Sequence, residues 1–143
     1  MTHRFAGFAD CALLSELNLQ LIQDEGHRNP MGFSELYNRM SAWLSEGYRA
    51  VLFEVEGSVA GYVLYREDQA AIYLRHLFVL RERRRKGVGR AMIEIMKREF
   101  WPGDKRLIVE VLVSNEPAIR FWRAVGFNDY SLTLEILPPP KSA

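Results

Sequence analysis

The sequence predicts a mixed α/β domain, and three observations lead to that prediction. Helical spacings of apolar residues alternate along the chain with short β-branched and aromatic runs, one of those runs is apolar on both faces, and a basic turn with two glycines joins a strand to a helix. With 143 residues, 48% of them hydrophobic, one domain can bury most of its apolar surface. We assign residues 1–137 to this domain and residues 138–143 to a flexible tail.

Two helices are predicted in the first third of the chain. The first follows Asp10, a candidate N-cap, and should end near Gly26. Its leucines recur with helical spacing at positions 13, 14, 17 and 21. The second should begin at Ser34, another candidate cap, and end at Gly47.

Three strands and a third helix are predicted next. Two apolar runs flank Gly57, which is the signature of a hairpin. The third strand, AAIYLRHLFVL, leads directly into the basic turn. After the glycines, helical spacing predicts an amphipathic helix that ends at Pro102 and Gly103. Its apolar face consists of Val88, Ala91, Met92, Ile95 and Met96.

The last third predicts a strand, a helix and a strand. The run RLIVEVLV, residues 106–113, is apolar on both faces, as expected in the middle of a sheet covered by helices on both sides. The following helix has Pro117 near its start and Gly126 past its end. YSLTLEIL alternates strictly, which predicts a half-covered last strand. Its apolar side is formed by Tyr130, Leu132, Leu134 and Ile136.

Charge and composition restrict the class of partner. The net charge is +1, so no field of the whole molecule draws it to nucleic acid or a membrane. Cys11 is the single cysteine and is expected in the core, and no apolar stretch approaches the length of a membrane span. The first ten residues lack the core of a signal peptide. We therefore expect a cytoplasmic protein.

The basic glycine turn is a candidate site for phosphate groups. A strand, a glycine turn and a helix in this order leave backbone N–H groups pointing outward at a helix N-terminus, where anions bind. Gly87 and Gly89 carry no side chain that would keep a phosphate away. Four basic residues surround them: Arg84, Arg85, Lys86 and Arg90. A solvated arginine surface on an ordinary turn is the alternative, since the P-loop and dinucleotide patterns are both absent.

Two motifs give this chain a family resemblance. Arg84-x-x-Gly87-x-Gly89, after the strand ending LFVL, resembles the acetyl-CoA-binding motif of the GNAT superfamily of N-acetyltransferases. Residues 115–127, NEPAIRFWRAVGF, are similar to that family's N-x-x-A-x-x-F-Y-x-x-x-G-F segment. The resemblance covers the chain to about Leu137. It implies a GNAT-like twisted mixed sheet with splayed central parallel strands, flanked by about four helices.

The resemblance also implies how acetyl-CoA would bind as the co-substrate. Main-chain groups of Leu77, Phe78 and Val79 would bond the pantetheine arm. The pyrophosphate would be held by the amides of Arg85, Lys86, Gly87, Val88, Gly89 and Arg90. Asn115 matches a position that commonly contacts the cofactor. Trp122 stands where relatives often carry a tyrosine and could pack against the pantetheine, although a core aromatic is an equal reading.

Acetyl transfer needs a neutral amine, so some group must accept a proton. Glu110 is the only charged residue between Leu107 and Val113, and burial in such a run suits a carboxylate to general-base work. Its position, five residues before Asn115, resembles that of the catalytic glutamate in some family members. A solvated Glu110, or one paired with an arginine, is the alternative. An indole cannot act as the general acid, which leaves Tyr130, Tyr73 or water.

The resemblance places the acceptor beneath the segment joining the first two helices. Asp24, Glu25 and His27 lie there and could attract a cationic amine, whether a small molecule, a peptide N-terminus or a lysine. His76 stands where relatives often line the acceptor site. No histidine or cysteine stands at ligand spacing from another, so no metal is expected.

Two other classes of function, and a homodimeric assembly, are also compatible with the sequence. Because the family tyrosine is missing, the chain could be a catalytically silent acyl-CoA sensor. A nucleic-acid-binding module would use the basic run 81–86, but it predicts aromatic residues interleaved with the basic ones, and none is present. The final strand offers an edge for pairing in a homodimer.

Overall fold

The computed structural model describes residues 1–26 and 28–141, and its centre is a five-stranded mixed sheet. The strands lie in chain order across the sheet: β1 (Thr2–Phe5), β2 (Tyr48–Val55), β3 (Ser58–Glu67), β4 (Ala71–Val79) and β5 (Arg106–Val109). Neighbouring strands are antiparallel except β4 and β5, which are parallel. The described α-helices are α1 (Cys11–Glu25), α2 (Phe33–Ser45), α3 (Val88–Ile95) and α4 (Glu116–Ala124). The predicted α/β fold class is confirmed.

Helices cover both faces of the sheet, which explains the continuous apolar runs of its inner strands. On one face, Ala50 and Leu52 of β2 pack with residues of α1 and α2. On the other face, Val51 and Phe53 of the same strand pack with residues of α3 and α4. Cys11 is buried in the first of these clusters as expected, and burial raises the pKa of its thiol.

The predicted helices α1 and α2 are present, and the N-cap position is as predicted for α1 but not for α2. Asp10 occupies the N-cap position of α1 without a capping hydrogen bond from its side chain, because its carboxylate accepts instead from the Gly7 amide at 2.8 Å and from Arg4. The second helix begins at Phe33, after Gly32 as N-cap, so Ser34 lies inside its first turn. At the other end, Gly26 adopts φ 67° and terminates α1 as predicted.

The hairpin around Gly57 is confirmed, and a strand that the sequence did not predict pairs with its first arm. Glu56 and Gly57 both have positive φ, 54° and 78°, as a two-residue type I′ turn requires. β1 pairs with the outer edge of β2, from Thr2 opposite Glu54 to Phe5 opposite Val51. Four residues are too few to show a detectable alternation, so this strand could not be predicted from its own sequence.

The C-terminal part of the predicted sheet is wrong. The strand predicted at residues 106–113 ends at Val109 and lies at the edge of the sheet, not in its middle. Residues 128–141 form no regular secondary structure, and the apolar side chains of the predicted last strand are exposed, Leu134 by 84% and Ile136 by 98%. Alternation decides which side chains share a face, but a strand also needs a neighbouring edge to pair with.

The helix after the glycine turn extends beyond its α-helical part. α3 ends at Ile95, and Met96–Phe100 continue as one turn of π-helix, closed by a hydrogen bond from the Trp101 amide to the Met96 carbonyl. Pro102 follows, as the sequence predicts. Within residues 1–26 and 28–141, no helix has the length and hydropathy needed to span a membrane.

Candidate functional site

A gap opens between the two parallel strands halfway along β4. Their pairing runs from Ala71 opposite Arg106 to Leu74 opposite Val109 and stops there, whereas β4 continues to Val79. From Arg75 to Val79, no strand of the described chain pairs with the edge of β4 that faces away from β3. This edge belongs to the residues predicted to bond the pantetheine: Leu77, Phe78 and Val79. An extended molecule could add to it as a strand does.

The glycine turn follows β4 and directs unpaired amides outward. Arg85 and Gly87 both adopt left-handed backbone conformations, with φ 61° and 77°. α3 starts at Val88, and its first hydrogen bond runs from the Ala91 amide to the Gly87 carbonyl. The amides of Val88, Gly89 and Arg90 therefore have no acceptor within the helix and lie at its positive end. This geometry suits an anion such as a pyrophosphate.

The two glycines of the turn do different things. A Cβ on Gly87 would meet no atom within 4 Å, so this position is open to solvent or to a ligand. A Cβ on Gly89 would lie 3.3 Å from the Phe121 ring. The missing side chain of Gly89 thus lets α3 approach α4 closely, a packing role that the sequence pattern did not reveal.

Two arginines of the basic run bind Asp24 at the end of α1. Arg84 and Arg81 donate to its two carboxylate oxygens at 2.6 and 2.7 Å, and Arg84 Nε also donates to the Val79 carbonyl at 2.8 Å. Burial tends to raise the pKa of Asp24, but the hydrogen bonds from Arg84 and Arg81 outweigh it and lower that pKa. Asp24 is therefore already neutralised by two arginines, which weakens its expected attraction for a cationic acceptor. His27, expected to act with it, lies outside the described residues.

Some of the remaining basic residues at the turn are hydrogen-bonded to other protein groups, and others are free to contact a ligand. Arg90 donates to the Ala124 carbonyl at 3.1 Å, and Arg83 donates to Ser58 at 3.2 Å. Arg85 and Lys86 are exposed and make no hydrogen bond or ion pair with the described residues. Only these last two side chains of the turn are therefore available to a phosphate without breaking an existing contact.

Glu110 lies just past the end of β5, where the gap begins. Tyr73 of β4 donates a hydrogen bond from its hydroxyl to Glu110 Oε1 at 3.1 Å. The expected burial of Glu110 is wrong, because its side chain is exposed. Burial, followed by the nearby Glu110 carboxylate, raises the pKa of Tyr73, which keeps its hydroxyl protonated and donating at neutral pH.

The other predicted site residues near α4 have structural partners. Asn115 caps α4, because its side-chain oxygen accepts from the Ala118 amide at 3.3 Å. Trp122 is 9% exposed and lies edge-to-face with Phe121 and Phe127, at ring distances of 5.0 and 5.2 Å. A core packing position accounts for these contacts.

Tyr130, one of the tyrosines considered as a general acid, lies far along β5 from Glu110. Its ring stacks on the guanidinium of Arg106 at 4.5 Å, beside the first residue of that strand, whereas Glu110 follows the last one. Of the two tyrosines, only Tyr73 contacts Glu110.

Sequence reasoning missed a cluster of arginines and aromatic rings next to Tyr73. The guanidinium carbons of Arg39 and Arg75 lie 4.4 and 4.5 Å from the centre of the Trp43 ring. Arg75 also donates to the Tyr48 hydroxyl at 3.3 Å. The spacing of Arg39 and Trp43, four residues apart on a predicted helix, was the available signal, but it does not indicate what faces them.

His76 lies at the border of this cluster. Its Nδ1 is 3.0 Å from the hydroxyl of buried Tyr62, and its ring stands edge-to-face with Trp43 at 5.5 Å. Among residues 1–26 and 28–141, no three side chains of His, Cys, Asp and Glu are grouped so that they could hold a metal ion.

The profile of the acetyltransferase (GNAT) family matches residues 17–127, which is most of the chain. The chain belongs to the acetyltransferase (GNAT) family. This confirms the family resemblance. The matched range includes the glycine turn, Glu110 and α4 of this GNAT protein.

Individual relatives are more distant. The GNAT chain is 30% identical over 77 residues to the peptidyl-lysine N-acetyltransferase YiaC of Escherichia coli K12. The matched residues are 54% of this chain and 48% of YiaC. The chain thus spans about half the length of this relative.

Two solved structures show the same fold. A protein from Clostridium acetobutylicum, described as a predicted acetyltransferase and solved with acetyl-CoA, superposes with a TM-score of 0.73 at 16% identity, covering 95% of each chain. The aminoglycoside N-acetyltransferase AAC(6′)-Iy, solved with CoA, gives 0.75 at 14% identity, covering 97% of this chain and 95% of the other.

Proposed function

We propose that this GNAT protein is an enzyme that transfers an acetyl group from acetyl-CoA to a primary amine. One observation carries the proposal: the unpaired edge of β4 leads directly to a turn whose amides lack acceptors. An elongated ligand with a phosphate group at one end fits this arrangement. The names of YiaC and of the aminoglycoside enzyme support an amine acceptor, on a small molecule or a peptide.

The residues of the gap and the turn would bind acetyl-CoA without rearranging. Main-chain groups from Leu77 to Val79 would bond the pantetheine, and the amides of Val88, Gly89 and Arg90 would bind the pyrophosphate. Arg85 and Lys86 would add charge from their exposed positions. Acetyl-CoA supplies the acyl group as a thioester, and no metal takes part in the proposed reaction.

Glu110 would act as the general base. An ammonium has no lone pair, so the amine nitrogen must lose a proton before or while it bonds to the acetyl carbon. The Glu110 carboxylate accepts the ammonium proton, the freed amine bonds to the acetyl carbon, and the carbon–sulfur bond breaks. The CoA thiolate leaves and takes a proton from Tyr73 or from water, and the second proton of the acylated nitrogen restores that donor. Tyr73 also orients the carboxylate through its hydrogen bond.

The test is an amine-acceptor screen that measures released CoA thiol for the wild type, Glu110→Gln and Glu46→Gln. Glu46 is an exposed residue at the end of α2, so its variant controls for loss of a surface charge. We expect Glu110→Gln to lower kcat/KM by about 10²–10⁴. The deficit should shrink at high pH, where the amine loses its proton unaided. Glu46→Gln should match the wild type.

The outcomes separate the alternatives. If Glu110→Gln equals the wild type at every pH while the parent is active, Glu110 is not the base. If the protein binds acetyl-CoA and releases no thiol with any amine, the silent acyl-CoA sensor is the better description.

We further propose that the protein acts in the cytoplasm and that nucleic acid and membranes are not partners. Three arginines of the basic run and Arg90 after it are already bound to protein atoms: Arg81, Arg83, Arg84 and Arg90. Too few cations remain at the turn for a nucleic-acid surface. A free, buried Cys11 suits a reducing compartment.

We also propose a homodimer in which the outer edge of β5 pairs with residues 130–137 of a second copy. Among the described residues no strand covers this edge, and the apolar side of residues 130–137 is exposed. The chain's own segment cannot pair antiparallel with β5, because Tyr130 lies beside Arg106 at the start of that strand. A second copy can approach from the other end.

One antiparallel register satisfies both charge and hydrophobicity. Placing Glu135 of the second copy opposite Arg106 pairs opposite charges across the strands, and Glu135 would exchange its present ion pair with Arg28, at 2.7 Å, for this one. Directly opposite residues share a face in this arrangement. The other pairs are then Leu134 with Leu107, Leu132 with Val109, and Tyr130 with Val111. Those three residues near β5 all contact the core on the α3 and α4 face, so the incoming apolar side chains would extend that core.

A further inference from the structure

Two guanidinium groups share one aromatic ring on the proposed acceptor side. Arg39 of α2 and Arg75 of β4 lie 4.4 and 4.5 Å from the centre of the Trp43 ring. Neither forms an ion pair with a carboxylate of the described residues, whereas their neighbour Arg66 is paired with Asp68 at 3.4 Å. The surface beside Trp43 therefore carries two positive charges without a counter-ion from the described chain.

The free energy cost of burying part of Arg39 is offset only in part by its contacts with the described chain. Its side chain is partly buried, and its Nε is buried without a hydrogen-bond partner. Burial and the charge of Arg75 lower the pKa of Arg39. Stacking on Trp43 recovers part of this cost, but a buried donor without an acceptor is uncommon in folded proteins. The two terminal nitrogens of the guanidinium are not buried in this way, so an anionic ligand can reach them and would supply the missing charge.

The two arginines lie next to the proposed reaction centre. Arg75 is the residue after Leu74, where the pairing of β4 with β5 ends. It is also the extra residue of a bulge, because Leu64 pairs with His76 and Tyr65 with Leu74. Bulges redirect side chains, and here the guanidinium lies 6.0 Å from the ring of Tyr73, whose hydroxyl contacts Glu110. One small molecule can thus reach both Glu110 and Arg75.

We infer that the acceptor amine carries an anionic oxygen group, a carboxylate or a phosphate, that Arg39 and Arg75 bind. This inference rests on the proposed function, since it concerns the acceptor of that reaction. It reverses the charge expected from the acidic residues near the end of α1. The planar guanidinium suits both anions, because each offers two oxygens to its parallel N–H groups.

Matched acceptors test the inference by kinetics. β-Alanine and β-alaninamide differ in the carboxylate, and phosphoethanolamine and ethanolamine differ in the phosphate. We expect the anionic member of at least one pair to have the higher kcat/KM, and the pair that responds identifies the anion. Arg39→Gln and Arg75→Gln should each raise KM for that anionic acceptor roughly 10- to 100-fold. Both variants should leave KM for the neutral acceptor of the pair within about twofold of the wild-type value. Arg39→Lys should raise KM for the anionic acceptor less than Arg39→Gln does.

Arg49→Gln is the matched control. Arg49 is an exposed arginine that also lies near an aromatic ring, because its guanidinium is 5.8 Å from the centre of the Phe5 ring. Phe5 belongs to β1, the edge strand at the far side of the sheet from the gap between β4 and β5. Its variant should leave both members of each pair unchanged. Thermal melts of all variants separate a loss of folding from a loss of anion binding.

A binding measurement tests the site without catalysis. N-Acetyl-β-alanine and its amide would be titrated while the Trp43 indole resonance, assigned through Trp43→Phe, is followed by NMR. We expect a shift with the acid only, absent in Arg75→Gln. A shift without turnover of any amine would overturn the enzyme proposal but keep the anion site. Turnover that favours the neutral acceptors, with no shift, would overturn the anion site and keep the enzyme.

Discussion

At the scale of single residues, Gly61 on β3 has the least room for a side chain among the glycines that the structure describes. A Cβ there would overlap the backbone carbonyl of Phe78 and lie 3.2 Å from the end of the Met92 side chain. We expect Gly61→Ala to lower the free energy of unfolding by at least about 1–3 kcal/mol, because β4 must move to relieve the overlap. Urea denaturation measures this loss.

The control for that variant is Gly103→Ala, where a Cβ would meet no atom within 4 Å. Equal unfolding midpoints for the two variants would contradict the steric argument. Since Phe78 also borders the gap, Gly61→Ala should weaken CoA binding as well.

Residue identities indicated Glu110 but not its surroundings. A lone charge in an apolar run is visible in the sequence, and the contact with Tyr73 is not, because it joins residues 37 positions apart. The pairing of Arg39 and Arg75 through Trp43 depends on a bulge in β4 and on how α2 packs over it. Neither feature has a local sequence pattern.

At the scale of elements, the turn before α3 allows the anion site to be tested apart from stability. Gly87 has φ 77°, so alanine and glutamate should both destabilise the fold, by about 1–2 kcal/mol. Only Gly87→Glu places a carboxylate beside the free amides. We expect Gly87→Glu to weaken CoA binding by on the order of tenfold or more relative to Gly87→Ala. Calorimetry with CoA and thermal melts measure the two effects.

Arg84→Ala should weaken CoA binding less than Gly87→Glu does, because the Arg84 guanidinium is occupied by Val79 and Asp24. Near-complete loss of binding in Arg84→Ala would show that side chains, not amides, hold the phosphates. Unchanged binding in Gly87→Glu would remove the turn from the cofactor site.

Elements with strong local signals were predicted well. α1 ends at Gly26, the hairpin turns at Gly57, and α4 has Pro117 in its first turn. Each of these features depends on the backbone preferences of a few adjacent residues. β5 and the segment after α4 were misjudged because strand length and position depend on distant partners. Residues 130–137 have the right alternation, but no strand of the described chain pairs with them.

At the scale of the whole molecule, the exposed C-terminal segment makes a prediction about assembly. We expect sedimentation to show a dimer and Leu134→Glu to shift it to monomer, because a charge opposite Leu107 would be buried in the proposed interface. Pro139→Glu lies outside the proposed register and serves as the control. A monomeric wild type at micromolar concentration, or a dimer that persists in Leu134→Glu, would contradict this pairing.

The short ladder between β4 and β5 has a consequence for the survival of the protein. Four residue pairs join these strands, and a ligand that adds hydrogen bonds beyond Leu74 binds the native chain but not the unfolded one. If CoA is that ligand, a concentration one hundred times its Kd would add about 2.7 kcal/mol to the free energy of unfolding. Depletion of CoA would then expose the protein to proteolysis, so its abundance would follow the supply of CoA.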